Sequence, residues 1–171
     1  MNTKNNKRRR ESVERIERTF IDLLQTMELK EITVSDICKK TELNRSTFYA
    51  NFIDIYDLAD KVRKELESDF AHVFSNYNNE DRNGAEKMFT HIYENQLFYK
   101  TYFKLQYDES HNMFVYDIKR AKSDFDNKYI KYHIEFFRNG INAIIKMWLN
   151  SGCKESPQEM AEIIKQEYKG R

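Results

Sequence analysis

One proline and four glycines in 171 residues leave few positions where a helix must stop. Runs that alternate apolar and polar residues with period two are also scarce, while apolar residues recur at intervals of three and four. An all-α fold of about nine helices, without a sheet, is expected from that pattern. Cysteine is scarce too: Cys38 and Cys153 lie far apart in the chain, which argues against a disulfide framework or a cysteine-built zinc site and fits a reducing compartment. His72, His91, His111 and His133 lack ligand spacing with one another or with cysteine, so no metal is expected. The N-terminus is polar and no apolar run approaches the roughly 18 residues of a membrane span, so the expectation is a cytoplasmic protein with no membrane partner. A phosphate-cradling glycine loop, a nucleophile beside a base and paired acids on one face are all missing. Carboxylates such as Glu94, Asp108 and Asp117 read as solvated helix faces, so neither catalysis nor a cofactor is expected.

What is present is a chain with 40% hydrophobic and 14% aromatic residues, ample for the cores of one or two small domains. The net charge of +1 leaves no general basic footprint. Charge is nevertheless unevenly placed. Lys4, Lys7, Arg8, Arg9 and Arg10 form a basic arm over residues 1–10, ahead of a first helix expected from Glu11 to Met27. Such an arm is either a solubilising terminus or a set of cations that follow phosphates or enter a minor groove.

The most informative stretch runs from Glu31 to Leu58. Thr33 can cap a short helix, with Asp36 three residues on reaching back in a capping box, and Val34, Ile37 and Cys38 form the inner face of that helix. Thr41 to Asn44 supplies a break with Leu43 as an apolar plug. Asn44 is a favoured N-cap for a second short helix over about residues 45–51. Phe48 and Phe52 are four apart and share one face, read as core, which leaves Arg45, Ser46, Thr47, Tyr49 and Ala50 to project elsewhere. Short or planar groups of this kind allow close approach to a major groove. There arginine can pair with guanine, hydroxyls can bond phosphates or bases, and alanine can meet a thymine methyl. A further helix is expected from Asp54, capped by it with Asp57 at N3, through Leu58, Val62, Leu66, Phe70 and Val73.

Ile32-Thr33-Val34, Ile37, Ser46-Thr47-Phe48-Tyr49, Phe52, Asp54 and Leu58 resemble the N-terminal domain of the tetracycline-repressor (TetR) family, over roughly residues 12–64. The resemblance implies a three-helix helix-turn-helix DNA-binding domain at about 11–60, followed by a helical effector and dimerisation domain at 61–171. It implies that Thr33 holds phosphate, that Arg45, Ser46 and Thr47 read bases and phosphates, and that the Tyr49 hydroxyl grips the DNA backbone. Asn51 stands where the family often has a phosphate-contacting histidine. Two positions depart from the family pattern. Ile55 replaces a customary lysine, with neighbouring Tyr56 able to compensate, and Glu42 replaces a customary glycine at a turn where a left-handed backbone costs about 1 kcal/mol. A slightly reshaped turn is expected there. Together with Arg8, Arg9 and Arg10 these residues make up the expected DNA-contacting set.

The polar run 78–84 reads as a loop or helix start. Of 24 aromatic residues, 18 lie between Leu66 and Ser151. That concentration is compatible with an ordinary helical core or with a pocket whose lining would include Phe89, Tyr93, Tyr102, Phe103, Tyr107 and Phe136. Two final helices are expected: 128–151, apolar on most sides and stopped by Gly152, and one begun by Ser156-Pro157-Gln158-Glu159. The segment from Tyr132 to Met160 also resembles a TetR subgroup that includes an activator of a dihydroxyacetone-kinase operon. In the family these closing helices pair with their copies. The implied homodimer interface takes in Phe137, Ile141, Ile144, Trp148, Ile164 and Tyr168, and presents two reading helices to successive major grooves. The reading that follows is a repressor on a palindromic double-stranded DNA operator, responsive to a small-molecule effector. The alternatives are an activator controlled by a protein co-regulator, or a helical interaction module that does not bind DNA.

Overall fold

A computed structural model describes residues 4–74, 84–105 and 129–168, with side chains omitted at 4–5, 71–74 and 168. Every regular element among them is helical: α1 Lys4–Leu24, a 3-10 turn Leu29–Glu31, α2 Val34–Thr41, α3 Arg45–Tyr49, α4 Ile55–Phe74, α5 Gly84–Glu94, α6 Gln96–Leu105, α7 Ile130–Asn150 and α8 Pro157–Tyr168. The family of expectations built on helical periodicity is therefore met in kind. Most of the 78–84 segment lies outside the described residues, and Gly84 opens α5. The chain divides into two compact units, residues 1–69 with 101–107, and residues 70–100 with 108–171.

In the first unit α1 packs on α2 and α2 on α3. Ile16, Phe20 and Leu24 of α1 are fully buried, as are Ile37, Phe48 and Leu58 from the next three helices, so one apolar core holds four helix faces. Polar ties add register. The Arg15 guanidinium donates to the Thr41 carbonyl at the end of α2, and Thr41 in turn donates its hydroxyl to the Ile37 carbonyl at 2.7 Å. Lys61 of α4 pairs with Glu17 of α1 and with Glu65 at 3.3 Å, and its ammonium lies 5.6 Å from the centre of the Phe52 ring. Burial pushes the Glu17 carboxyl above its usual range despite that partner. At the C-terminal end of α6, Thr101 accepts from Gln25 at 3.2 Å and Lys104 donates to the Leu24 carbonyl.

The basic segment expected as a free-standing arm is instead the first two turns of α1. Nothing in Lys4–Arg10 breaks a helix, and Lys7–Glu11 and Arg10–Glu14 pairs at i,i+4 support it. The other end of α1 comes earlier than expected, at Leu24, where Thr26 and Met27 amides turn back to the Leu23 carbonyl.

The second unit packs α5 on α8, with a cross-link from Gln158 to Glu86 at 2.9 Å. Trp148 is its largest fully buried side chain. Phe89 meets the Trp148 ring edge-on, 5.5 Å away, and the indole N–H donates to the Glu155 carbonyl at 3.0 Å. His91 Nδ1 and the buried Tyr99 hydroxyl are 2.8 Å apart, and burial holds His91 below its ordinary value. The helix stop at Gly152 is a Schellman turn. Gly152 adopts φ 81, its N–H reaches the Leu149 carbonyl, and the Cys153 N–H reaches that of Trp148. Burial raises the Cys153 thiol. Ser156 and Glu159 then start α8 with a reciprocal pair of bonds, 3.2 Å to the Glu159 N–H and 2.7 Å from the Ser156 N–H. No helix among the described residues is long and apolar enough to cross a membrane.

Candidate nucleic-acid interface

The first short helix begins as its sequence dictates. The Thr33 hydroxyl accepts from the Asp36 N–H at 3.2 Å, and Asp36 accepts from the Thr33 N–H at 3.0 Å and its hydroxyl at 2.6 Å. Those donors hold the Asp36 carboxyl below the usual carboxylate range, the hydroxyl most of all. Thr33 remains exposed at the surface.

The turn is not reshaped. Glu42 takes the left-handed conformation, φ 54 and ψ 29, as a glycine there would, and its N–H and that of Leu43 both return to the Cys38 carbonyl. Strain of roughly 1 kcal/mol is tolerated at that residue because both amides are satisfied. Asn44 occupies the N-cap position of α3 with an extended backbone, but its side chain makes no capping bond, contrary to expectation; its carbonyl accepts from the Thr47 N–H at 2.9 Å.

The reading helix is five residues, shorter than the span 45–51 expected. A helix of that length has no intrinsic stability in water. It is held by one face: Phe48 is fully buried and Phe52, in the turn beyond, is 3% exposed. On the other face Arg45, Ser46, Tyr49 and Ala50 are exposed and Thr47 is partly so. The Tyr49 ring stands edge-on to Phe48 at 5.6 Å and the residue remains 55% exposed, so the ring is braced while much of the side chain stays open to solvent.

Asn51 is committed within the protein. Its amide N–H donates to the Thr47 carbonyl at 2.8 Å, and its carbonyl oxygen accepts from Arg9 Nε at 2.8 Å. Arg9 is thereby brought beside α3, while Arg8 and Arg10 are exposed on the same turns of α1. At the start of α4, Asp54 accepts from the Asp57 N–H at 2.9 Å and Asp57 accepts from the Ile53 N–H at 2.9 Å, the cap expected of this pair. Ile55 is buried, which accounts for an apolar residue where the family pattern has lysine, and Tyr56 beside it is 57% exposed. Ile53, 80% exposed between the two exposed tyrosines, was not singled out by sequence reasoning. Its position before a cap residue is the staple position, where a buried residue is the rule. An open groove of ≈ 390 Å³ beside α4 is lined by Asn51, Phe52, Lys61 and Lys64 but also by Asp57, Asp60 and Glu65, so its charges largely cancel.

The remaining expected site residues are distributed otherwise. Tyr102 and Phe103 fall in the first unit and Phe89, Tyr93 and Phe136 in the second. Phe89 and Tyr102 are fully buried, Phe103 partly so, and Tyr93 and Phe136 are 46% and 65% exposed. Tyr107 and the Tyr168 side chain lie outside the described residues. Of the expected interface set, Ile141, Trp148 and Ile164 are buried within the protomer itself, and Phe137 and Ile144 are half-buried.

The exposed polar face on a helix-turn-helix, followed by a separate helical unit, is the build of a transcription regulator. Sequence comparison agrees: the profile of a TetR-type transcriptional regulator C-terminal region matches residues 79–170, more than half of the chain. The protein belongs to the TetR family of transcriptional regulators. No curated protein matches the chain.

Proposed function

We propose that the protein is a sequence-specific DNA-binding repressor that grips a near-palindromic operator as a homodimer and releases it when its C-terminal part takes up an effector. The observation that carries this reading is the division of α3 into a buried Phe48 face and an exposed face of Arg45, Ser46, Tyr49 and Ala50. Groups of this size and chemistry suit a major groove, with Arg45 reading a base and Tyr49, Thr47 and Thr33 holding phosphates. Tyr56 and the α1 arginines Arg8, Arg9 and Arg10 extend the contact along the backbone.

The homodimer is supported by a strip on α7. Tyr132, Phe136, Ala143 and Met147 recur at three- and four-residue multiples, and the three large ones are 76%, 65% and 68% exposed. An apolar strip of this kind beside a two-fold axis meets its own copy. Because Ile141, Trp148 and Ile164 are spent on the protomer core, the proposed interface moves about a third of a turn around α7 from the side expected by sequence.

Effector control is a linkage between two equilibria: a ligand that favours the form with mis-spaced reading helices lowers operator affinity by its coupling free energy, typically about 1–3 kcal/mol. Control by a protein partner, as in the subgroup resembled by residues 132–160, replaces the small molecule without changing the DNA chemistry. Selecting bound fragments from sheared genomic DNA, followed by footprinting, tests the central claim. A protected near-palindrome that Arg45→Ala blurs at one base position in each half is expected. Recovery of no sequence above background by protein that is folded and dimeric would overturn it.

A further inference from the structure

Asn51 sits in the turn just past α3 with each half of its amide used. The NH₂ group is turned inward by its 2.8 Å bond to the Thr47 carbonyl, which fixes the orientation of the amide and leaves the oxygen to face α1. There it accepts from Arg9 Nε at 2.8 Å, across 42 positions of sequence. Arg9 itself is exposed and lies within α1, so its backbone is ordered by the helix. A guanidinium has five N–H donors in a planar fork, and a bond at Nε leaves the end-on pair, one N–H from each terminal nitrogen, directed away from Asn51. That outward edge is the one that fits phosphate oxygens with two parallel bonds. A half-buried amide with both ends engaged is poorly placed to contact DNA itself, whereas the arginine it holds is well placed.

We propose that Asn51 is a positioning residue that presents the Arg9 guanidinium, next to the reading helix, to a backbone phosphate, so that this contact is made from α1 through Asn51 and not by Asn51. The inference rests on the DNA-binding reading above. Three consequences distinguish it from a direct Asn51 contact. Arg9 carries the charge, so its loss changes the salt dependence of binding. Asn51 acts only through Arg9, so its removal is silent once Arg9 is gone. The effect is independent of base sequence, because phosphates are the same everywhere.

The test uses the full-length protein and random-sequence duplex DNA, with affinity measured by fluorescence anisotropy across a range of salt concentrations. Arg9→Gln is expected to flatten the plot of log affinity against log salt by about 0.9 for each arginine lost. Asn51→Ala is expected to weaken low-salt binding by roughly three- to tenfold, the scale of one hydrogen bond's net contribution. The double variant is expected to bind no more weakly than Arg9→Gln alone. All three are expected to remain folded, with thermal unfolding of Arg9→Gln close to the parent and that of the Asn51→Ala proteins lowered by no more than the loss of the bonds to Thr47 and Arg9 accounts for. An Asn51→Ala penalty that adds in full to that of Arg9→Gln would overturn the proposal, as would an unchanged salt slope in Arg9→Gln. Parent protein that binds no duplex even at low salt would overturn the DNA-binding reading with it, an outcome distinct from either of the others.

Discussion

The Phe52 ring lies 5.5 Å from that of Phe48 and is tilted 44° to it, and both are shielded from solvent. This pair fastens a five-residue helix that could not persist alone. Removing the Phe48 ring opens a cavity beneath every exposed group on α3, at a cost of about 3–5 kcal/mol, a large fraction of the stability of a small domain. Phe48→Ala is therefore expected to lower the urea midpoint steeply and to abolish operator binding, while Phe48→Leu loses less of both. A Phe48→Ala protein that unfolds like the parent would show that the reading helix is anchored elsewhere.

Tyr49 separates packing from recognition within one side chain. Its ring braces on Phe48, and its hydroxyl is free to meet a phosphate. Tyr49→Phe keeps the first and deletes the second, so unfolding should be unchanged and operator affinity should fall by roughly 1–2 kcal/mol, about 5- to 30-fold. Equal affinity for the two proteins in a titration against the selected fragment would remove Tyr49 from the contact set.

Glu42 is a non-glycine residue at φ 54 in the turn between α2 and α3. Its backbone bonds to Cys38 do not depend on the side chain, so Glu42→Gly retains them and relieves the steric cost of a left-handed Cβ. Glycine's greater freedom in the unfolded chain offsets part of that relief, so a net gain of at most about 1 kcal/mol is expected, or no more than roughly 2–4 °C in Tm for a chain of this size. Calorimetry that records a lower Tm would mean that the glutamate side chain makes a stabilising interaction outweighing its strain.

The parts of this molecule that were legible in its sequence are those set by neighbours in the chain. Thr33 with Asp36, Asp54 with Asp57, Gly152 after α7 and Ser156 with Glu159 each act within three or four residues, and each forms as its chemistry requires. The inward face of α3 was equally plain, because Phe48 and Phe52 stand four apart and share one face. Long-range features were not legible: the Arg9–Asn51 bond joins residues whose proximity depends on how α1 crosses α3. The extension of α1 back to Lys4 was missed because a run of cations reads as a tail, although no residue in it breaks a helix. On α7 periodicity failed for a different reason. With apolar residues on most sides, the pattern cannot tell Trp148, which faces the core, from Met147, which faces out.

Acid should weaken the helix starts of α2 and α8. Asp36 and Glu159 are both held below their ordinary values of 3.8 and 4.5, by donors from Thr33 and from Ser156. The unfolded chain thus binds protons at a higher pH than the folded one does. The caps contribute their full stabilisation above those ordinary values, and it is lost as pH falls through the lower folded ones. Asp36→Asn and Glu159→Gln are expected to reduce stability at about pH 6 and to reduce it by less near pH 3, below the ordinary values, where the stabilisation from the ionised caps is already being lost. Urea titrations at the two pH values check this, and a gap between parent and variant that widens on acidification would contradict it.

The two sides of α7 make opposite predictions. Trp148 fills the core against Phe89 and donates to the Glu155 carbonyl, so Trp148→Ala leaves both a cavity and an orphaned carbonyl, and is expected to cost about 3–5 kcal/mol of folding stability. Phe136 and Met147 are 65% and 68% exposed in the protomer, so Phe136→Glu and Met147→Glu should leave folding of the protomer intact. Two glutamates placed next to their own copies across a two-fold axis repel and lose the apolar contact together. Sedimentation velocity should then show the parent as a dimer and the double-glutamate protein as a helical monomer with weaker operator binding, since two linked reading helices bind far more tightly than one. If the double variant sediments as a dimer, the interface lies elsewhere, and the strip from Tyr132 to Met147 is not where the subunits meet.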